Sequence, residues 1–195
     1  MSVVALVSGG LDSTLIAHLA IEEGVKIHPI FINYGQRALD RELAACEGVM
    51  RKLGLELTVA DLSGYGALIR SGLTDPSLRV LEDAFTPGRN MLFLLVAAAH
   101  AYQLGADAIS IGLLHEETSL FPDQTSAFLR EAEALISRIM GRSIKVLAPL
   151  ADFHKDEVIA LAKQKGVEAT YSCHLGQEAP CGKCIACNEF KVEEV

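Results

Sequence analysis

The sequence predicts an α/β fold, in which helices cover both faces of a parallel sheet and a small module with four cysteines follows. Short apolar segments rich in β-branched residues alternate with amphipathic segments of ten or more residues. The first apolar segment, residues 3–7, leads directly into a Gly-Gly turn. The chain has 195 residues and is 50% apolar, which is enough for one full hydrophobic core.

Five apolar segments are predicted to be strands. A strand of a parallel sheet is covered on both faces, and it therefore has a nearly continuous apolar sequence. Turn-forming or charged residues bound each segment, as expected for strands. The predicted strands are 3–7, 25–32, 55–60, 108–112 and 144–147.

Helices are predicted between these strands. The first follows the Gly-Gly turn, where Leu15, Ile16, Leu19 and Ala20 recur at helical spacing. Segment 61–87 has weak periodicity and scattered Gly and Pro, which predicts loop and short helix covering the crevice at the carboxyl ends of the strands. The other predicted helices are 38–52, 90–104, 123–140 and 155–165.

The charge and hydropathy of the chain exclude several classes of function. A net charge of −8 argues against direct binding of nucleic acid and favours a small-molecule substrate, although a local basic pocket stays open. The longest apolar stretch, residues 91–101, is interrupted by His100 and is too short to cross a bilayer. No basic segment precedes an apolar one as in a signal peptide, so we expect a cytoplasmic protein without membrane attachment.

The hexapeptide from Ser8 to Ser13 is the first candidate site. Gly9 and Gly10 allow a tight strand-to-helix turn whose N–H groups, with the positive end of the next helix, can hold phosphate oxygens. The two serine hydroxyls can add donors. Asp12 would repel a bare phosphate, so it suits a site where a divalent metal ion bridges it to a nucleotide. The alternative is an ordinary turn with Asp12 or Ser13 as the helix N-cap.

A cysteine cluster near the C-terminus is the second candidate site. Four of the five cysteines share two consecutive Cys-x-x-Cys spacings: Cys173, Cys181, Cys184 and Cys187. In a chain without an export signal this pattern favours a shared metal over disulfides. Structural zinc is the first choice, because a closed four-thiolate site leaves no position open for substrate; an iron–sulfur cluster and a redox dithiol are the alternatives. Cys46 is predicted to be a small buried hydrophobe.

With both sites in view, the sequence resembles the N-type ATP pyrophosphatases of the PP-loop superfamily. Within that group it is similar to the 7-cyano-7-deazaguanine synthase family. The matching blocks keep the family order and span nearly the whole chain. They are the hexapeptide, Tyr34-Gly35-Gln36-Arg37, Thr86-Pro87-Gly88-Arg89-Asn90, Pro149-Leu150 with Lys155, and Ser172-Cys173 leading to the last three cysteines.

The resemblance implies a Rossmann-like, adenine-nucleotide-binding domain over residues 1–170 and a zinc-binding module over 171–195 packed on it. It implies an ATP-dependent carbon–nitrogen ligase that adenylates the carboxylate of 7-carboxy-7-deazaguanine and, with ammonia, makes first the amide and then the nitrile. The nucleotide product is AMP with pyrophosphate or, alternatively, ADP. The implied cofactors are ATP, Mg²⁺ and structural Zn²⁺. The implied partners are the deazapurine acid and ammonia, and the high apolar content is compatible with a homodimer.

The resemblance also implies roles for individual residues. Asp12 would carry Mg²⁺, while Arg89 and Lys155 would neutralise phosphate charge, and these three are the predicted catalytic residues. For Arg89 and Lys155, a solvated position on a helix is the alternative. The implied nucleotide-binding residues are Val7, Ser8, Gly9, Gly10, Leu11, Asp12, Ser13, Thr14 and Asn90.

The loop over residues 115–125 departs from the family pattern. Phe121 replaces a tyrosine, and an arginine that could pair with a substrate carboxylate is missing. Asp123 either binds a guanine-like edge or caps the next helix. Arg37 either contacts substrate or forms an ion pair with Asp40 or Glu42.

These departures leave two alternative functions open. The first is a related ATP pyrophosphatase that acts on another acceptor or amine. The second is a non-catalytic module that binds a nucleotide and zinc.

Overall fold

The computed structural model describes residues 1–191, and residues 192–195 of the predicted module lie outside this range. Five parallel strands form one sheet in the order β3-β2-β1-β4-β5. The strands are β1 (Ser2–Leu6), β2 (Lys26–Asn33), β3 (Thr58–Asp61), β4 (Ala108–Ser110) and β5 (Lys145–Leu147). The helices are α1 (Leu11–Glu22), α2 (Leu39–Lys52), α3 (Ser63–Leu68), α4 (Arg89–Leu104), α5 (Ser126–Met140), α6 (Lys155–Gln164) and α7 (Ile185–Glu189).

Strand β1 lies at the centre of the sheet. It pairs with β2 on one side, where Leu6 is opposite Ile30, and with β4 on the other, where Ala5 is opposite Ser110. The chain moves outward from β1 to β2 and β3, then returns to form β4 and β5 on the opposite side. A parallel sheet binds its ligands where the strand order reverses, at the carboxyl ends of the strands. That position lies between β1 and β4, next to the Gly-Gly turn.

Alternate residues of the strands face two helical layers. Val4 and Ile30 belong to a core cluster formed with α4 and α5. Ala5 and Phe31 belong to a second cluster formed with α1 and α2, in which Cys46 is fully buried as predicted. The predicted helical layers on both faces are therefore confirmed. Within residues 1–191, no helix has both the length and the apolar character needed to cross a membrane.

Helix α5 begins later than the sequence predicted. The Thr125 Oγ1 accepts a hydrogen bond from the Phe128 N–H at 3.2 Å and caps the helix. A separate 3₁₀ turn, Pro122–Gln124, precedes it. The alternative in which Asp123 caps this helix is therefore wrong, because a threonine two positions later accepts from a free N–H group of the first turn.

Strand β3 is also displaced from its predicted bounds of 55–60. Pairing aligns Thr58 with Ile30 and Asp61 with Asn33, so the strand begins where β2 offers partners. In the predicted loop region 61–87 the structure has the short helix α3, as expected.

The cysteine module packs on the domain that contains the sheet. Its cysteines share a buried cluster with Leu73, Val80 and Ala84 from the 61–87 region. The Tyr171 N–H donates to the Gly9 carbonyl at 2.8 Å, which connects the start of the module to the Gly-Gly turn.

Candidate active site

A cleft lies at the carboxyl ends of β1, β2 and β4, where the strand order reverses. The ends of these strands and the first turns of α1 and α4 form its walls, and residues of the cysteine module complete it. The predicted site residues that line it are Val7, Ser8, Gly10, Leu11, Asp12, Ser13, Arg89, Asn90, Phe121 and Lys155.

The Gly-Gly turn needs glycine at position 9. Gly9 has φ +76°, and a Cβ there would lie 2.5 Å from the Glu42 carbonyl oxygen and 2.8 Å from the Cys46 nitrogen. A side chain at this position would therefore collide with the backbone of α2. Its residue would also have to adopt a left-handed conformation, which is unfavourable for residues other than glycine. Gly9 places the turn rather than lining the cleft.

The serine hydroxyls stabilise the turn from inside. The Ser13 Oγ accepts a hydrogen bond from the Ser8 N–H at 3.1 Å and lies 3.3 Å from the Ser8 Oγ. Gly10 is the N-cap of α1 and makes no side-chain capping bond. The alternative in which Asp12 or Ser13 caps this helix is therefore wrong. The first-turn N–H groups, which no helix can satisfy internally, stay available at the cleft.

Asp12 and Lys155 meet at one end of the cleft. The Lys155 Nζ lies 2.8 Å and 3.0 Å from the two carboxylate oxygens of Asp12 and 3.2 Å from Glu189 Oε2. Lys155 is the first residue of α6, and Glu189 is the last of α7. Opposite charges this close stabilise one another, so the sheet domain and the cysteine module share one charge network. The alternative of a solvated Lys155 is wrong.

Arg89 and Asn90 begin α4 after Gly88, the N-cap, which has φ +75°. The Arg89 guanidinium lies 5.7 Å from the ring centre of Tyr34 and 5.9 Å from that of Phe93, which are distances suited to cation–π contact. Its Nε is buried and has no hydrogen-bond partner among the described residues. A buried donor of a charged group without a partner is costly, so this arginine is suited to an anionic ligand.

Four of the predicted nucleotide- and substrate-binding residues lie away from the cleft lining. Gly9 and Thr14 are packed behind the turn, with Thr14 fully buried. The Arg37 Nη1 donates to the Gly72 carbonyl oxygen at 3.0 Å. This contact is neither the predicted contact with substrate nor the predicted ion pair with an acidic residue of α2. The Asp123 carbonyl accepts from the Asn90 amide at 2.9 Å, which fixes the orientation of that amide.

Several residues that line the cleft were not predicted from the sequence, and three of them are polar residues close to the predicted ones. Gln36 and Glu42 lie at the carboxyl end of β2 and in the first turn of α2, and His174 follows the first cysteine of the cluster. Burial lowers the pKa of His174 to about 4, which keeps the imidazole neutral, and its Nδ1 has no partner among residues 1–191. A polar residue just after the carboxyl end of the strand next to β1 was a usable signal for Gln36, whereas Glu42 on α2 carried no such signal.

The four cysteine sulfurs converge beside the cleft. Their sulfur atoms all lie within 4.8 Å of one another, and Cys181 Sγ is 3.8 Å from Cys187 Sγ. A tetrahedral zinc ion with Zn–S bonds of about 2.3 Å requires sulfur–sulfur distances of about 3.8 Å. The Cys184 N–H also donates to Cys181 Sγ at 3.3 Å. The donor set and its spacing therefore fit a tetrahedral metal ion.

The thiols differ in their ionisation. Burial raises the pKa of Cys184 to about 12. At Cys181 burial also acts to raise the pKa, but N–H groups of Lys183 and Cys184 outweigh it and lower the pKa to about 6.

Comparisons with known proteins give a consistent result. A model of the family described as "Queuosine biosynthesis protein QueC" matches residues 2–191. The 7-cyano-7-deazaguanine synthase of Methanobrevibacter smithii is 32% identical, over 98% of this chain and 94% of that protein. The 7-cyano-7-deazaguanine synthase of Prochlorococcus marinus is 36% identical, over 94% of this chain and 88% of that protein.

A solved structure shares the fold. It is the crystal structure of a protein described as a predicted subunit of tRNA methyltransferase from Methanocaldococcus jannaschii, with a TM-score of 0.57 and 19% identity. The match covers 84% of this chain and 74% of that one. Identity this low indicates a common fold and nothing about the substrate.

Proposed function

The chain belongs to the QueC family of queuosine biosynthesis proteins, and from this premise we propose that it is an ATP-dependent ligase that makes 7-cyano-7-deazaguanine. It adenylates the carboxylate of 7-carboxy-7-deazaguanine, admits ammonia to form the amide, and activates the amide oxygen with a second ATP so that the nitrile forms. The altered loop over 115–125 does not favour a different acceptor, because relatives matched over nearly the whole chain carry the same synthase name.

The main support for the proposal is that the Gly-Gly turn and Arg89 line the same cleft. In each activation an acceptor oxygen attacks the α-phosphorus in line, and pyrophosphate leaves. The N–H groups of the first turn of α1 and the hydroxyl of Ser8 are the donors that would hold the leaving pyrophosphate, while Ser13 keeps its hydrogen bonds inside the turn. The Nε of Arg89, which has no hydrogen-bond partner within residues 1–191, is suited to one of its oxygens. Donors already in place lower the cost of the charge that develops.

Asp12 fits a magnesium site in its chemistry. Mg²⁺ prefers carboxylate oxygens together with substrate phosphates, and Asp12 provides a carboxylate directly beside the phosphate turn. The ion would supply neutralisation of phosphate charge. The Lys155 ammonium lies against the Asp12 carboxylate and neutralises its charge. We propose that Lys155 also neutralises phosphate charge at this end of the cleft.

We propose zinc as the ion of the four-cysteine site. The 3.8 Å separation of Cys181 Sγ and Cys187 Sγ supports it, as does an all-thiolate donor set. Such a site leaves no position open for substrate, so its role is structural. It fixes α7 and thereby Glu189 against Lys155.

The acceptor side of the cleft is assigned from its lining. Phe121 lies on the wall of the cleft and would offer an apolar face to a planar deazapurine. Asp123 acts behind it, because its backbone carbonyl orders Asn90. Direct contact of Asp123 or Arg37 with substrate stays a prediction.

The remaining proposals concern surroundings and partners. Ammonia as free nitrogen donor, a homodimer, a cytoplasmic location and a domain division between residues 170 and 171 all stay predictions.

The function itself is tested by incubating the protein with Mg-ATP, ammonia and 7-carboxy-7-deazaguanine and analysing the products by mass. The amide and then the nitrile are expected, together with AMP. Pyrophosphate release only with other acids would instead support a different acceptor, and nucleotide binding without AMP formation would support a non-catalytic module.

A further inference from the structure

Glu42 is an acidic residue that lines the cleft and has no role in binding phosphate. It lies in the first turn of α2 and lines the same cleft as Ser8 and Arg89. A carboxylate would repel the phosphates that this cleft is built to hold. Its presence there therefore points to a part of the reaction other than nucleotide binding.

The carboxyl group of Glu42 is held in a fixed orientation by Gln36. The Gln36 Oε1 accepts from the Tyr34 N–H at 2.9 Å, and its Nε2 donates to the Ile32 carbonyl at 3.2 Å. The amide of Gln36 can therefore present only N–H to its other neighbour. That N–H donates to Glu42 Oε2 at 3.1 Å. The other oxygen, Oε1, receives no hydrogen bond from any residue in the range 1–191 and stays available to a ligand.

The surroundings of Glu42 make proton exchange easy near neutral pH. Burial raises its pKa to about 7, opposed by the Gln36 hydrogen bond and the charge of Arg89. Burial also raises the pKa values of the neighbouring groups Tyr34, Tyr171 and Cys46, which stay protonated at neutral pH. A base works best when its pKa is close to the working pH.

The proposed reaction needs such a base at the nitrogen atom. When ammonia attacks the adenylated carboxylate, the new C–N bond forms, one proton leaves nitrogen, and the C–O bond to AMP breaks to give the amide. After the amide oxygen is adenylated, nitrogen loses its two other protons while the second C–O bond to AMP breaks and the C≡N bond forms. All three hydrogens of ammonia therefore leave as protons.

We propose that Glu42 accepts these protons through its free Oε1, so that it is the general base of both the amide-forming and the nitrile-forming steps. This inference rests on the proposed function. Gln36 is the positioning residue that keeps the carboxyl oriented toward the cleft. Each proton accepted by Glu42 passes to solvent through the open side of the cleft before the next transfer.

The test separates proton transfer from adenylation. The variant Glu42→Gln can still accept the Gln36 hydrogen bond but cannot act as a base. Exchange of labelled pyrophosphate into ATP, measured with the deazaguanine acid and without ammonia, reports adenylation alone. We expect this exchange to stay within about threefold of wild type, while amide and nitrile formation fall by about 10²–10⁴-fold, the usual contribution of a general base. Glu42→Asp should recover part of the loss.

A matched control lies on the same helix. Glu47 is exposed in α2, and Glu47→Gln should leave exchange and nitrile formation unchanged. At a constant concentration of free NH₃, the wild-type rate of amide formation should rise with pH and level off above about 7, where Glu42 is ionised, and Glu42→Gln should lack this inflection.

The outcomes distinguish this inference from the proposed function. If wild type makes nitrile and Glu42→Gln does so equally well, or if exchange and nitrile formation fall by the same factor, the role of Glu42 is refuted alone. If wild type makes neither amide nor nitrile, the proposed function and this inference are both refuted.

Discussion

Lys155 and Asp12, 143 positions apart in the chain, form a two-oxygen ion pair at the edge of the cleft, with distances of 2.8 Å and 3.0 Å. Both side chains are less than one quarter exposed, so the pair is better shielded from solvent than a surface salt bridge. The contact connects α1 to α6, and through Glu189 it also reaches the cysteine module. Lys155, the cation that we assign to the phosphates, is thus paired with Asp12, the carboxylate that we assign to Mg²⁺.

The first prediction concerns this lysine. Lys155→Met should lower kcat/KM for ATP by about 10–10³-fold, because one cation opposite the developing phosphate charge is lost. Pyrophosphate release at varied ATP concentration measures it. Lys163→Met, on the exposed side of the same helix, is the control and should leave kcat/KM unchanged. A Lys155→Met enzyme with wild-type kcat/KM would show that Lys155 serves only to neutralise Asp12.

The second prediction concerns the Gly-Gly turn. Gly9→Ala places a Cβ 2.5 Å from the Glu42 carbonyl and imposes a side chain on a backbone with φ +76°. We expect ATP binding to be lost and the free energy of unfolding to fall by more than about 1 kcal/mol. Gly48→Ala, in the middle of α2 with open space around it, should instead stabilise the chain by about 0.5–1 kcal/mol. Unfolding by urea and calorimetric ATP titration measure both. Equal effects of the two changes would contradict the fit of Gly9 against α2.

The third prediction concerns zinc. Cys184→Ala should reduce bound zinc below one ion per chain and destabilise the module, because a three-thiolate site binds the ion more weakly. Metal analysis and thermal unfolding provide the readouts. Cys46→Ala, which removes the other fully buried cysteine sulfur, should leave the zinc content at one per chain. Iron with a visible absorption band in the purified protein would instead support the cluster alternative.

The fourth prediction concerns pH and stability. Because the pKa of Glu42 is raised in the folded state to about 7, from an ordinary value of 4.5, the folded chain retains a proton that the unfolded chain releases. The resulting contribution to the free energy of unfolding is fully present below pH 4.5 and is lost as pH rises to about 7. The loss amounts to about 3 kcal/mol at most, because each pKa unit between these two values corresponds to about 1.4 kcal/mol. In Glu42→Gln this part of the pH dependence should disappear from urea unfolding curves. If the free energy of unfolding depended on pH in the same way in Glu42→Gln and in wild type, the pKa of Glu42 in the folded protein would be an ordinary one.

Much of the fold follows from local sequence signals. The alternation of apolar strands with amphipathic helices predicted all five strands and the covering of both sheet faces. The bounds of α5 and β3 were wrong because they depend on competition and pairing: Thr125 competes with Asp123 as cap, and β3 begins only where Ile30 offers a partner. Such choices are not encoded in the periodicity of the segment itself.

The site was predicted where it depends on short motifs and missed where it depends on packing. The Gly-Gly turn and the four cysteines are close in sequence, so their spacing alone indicated their chemistry. Glu42 in an amphipathic helix has the sequence appearance of a solvated charge, and only the packing of α2 against Gly9 brings it to the cleft. The pairing of Lys155 with Asp12 likewise needed the fold.

The central claim is that ATP activates an acceptor oxygen and that pyrophosphate, held by the Gly-Gly turn, is the leaving group. It is tested most directly with 7-carboxy-7-deazaguanine labelled with oxygen-18 in both carboxylate oxygens. We predict that both labelled oxygens appear in AMP, one in each of the two AMP molecules formed per nitrile. Label in inorganic phosphate, with ADP as the nucleotide product, would contradict the claim, because it would show transfer of the γ-phosphoryl group.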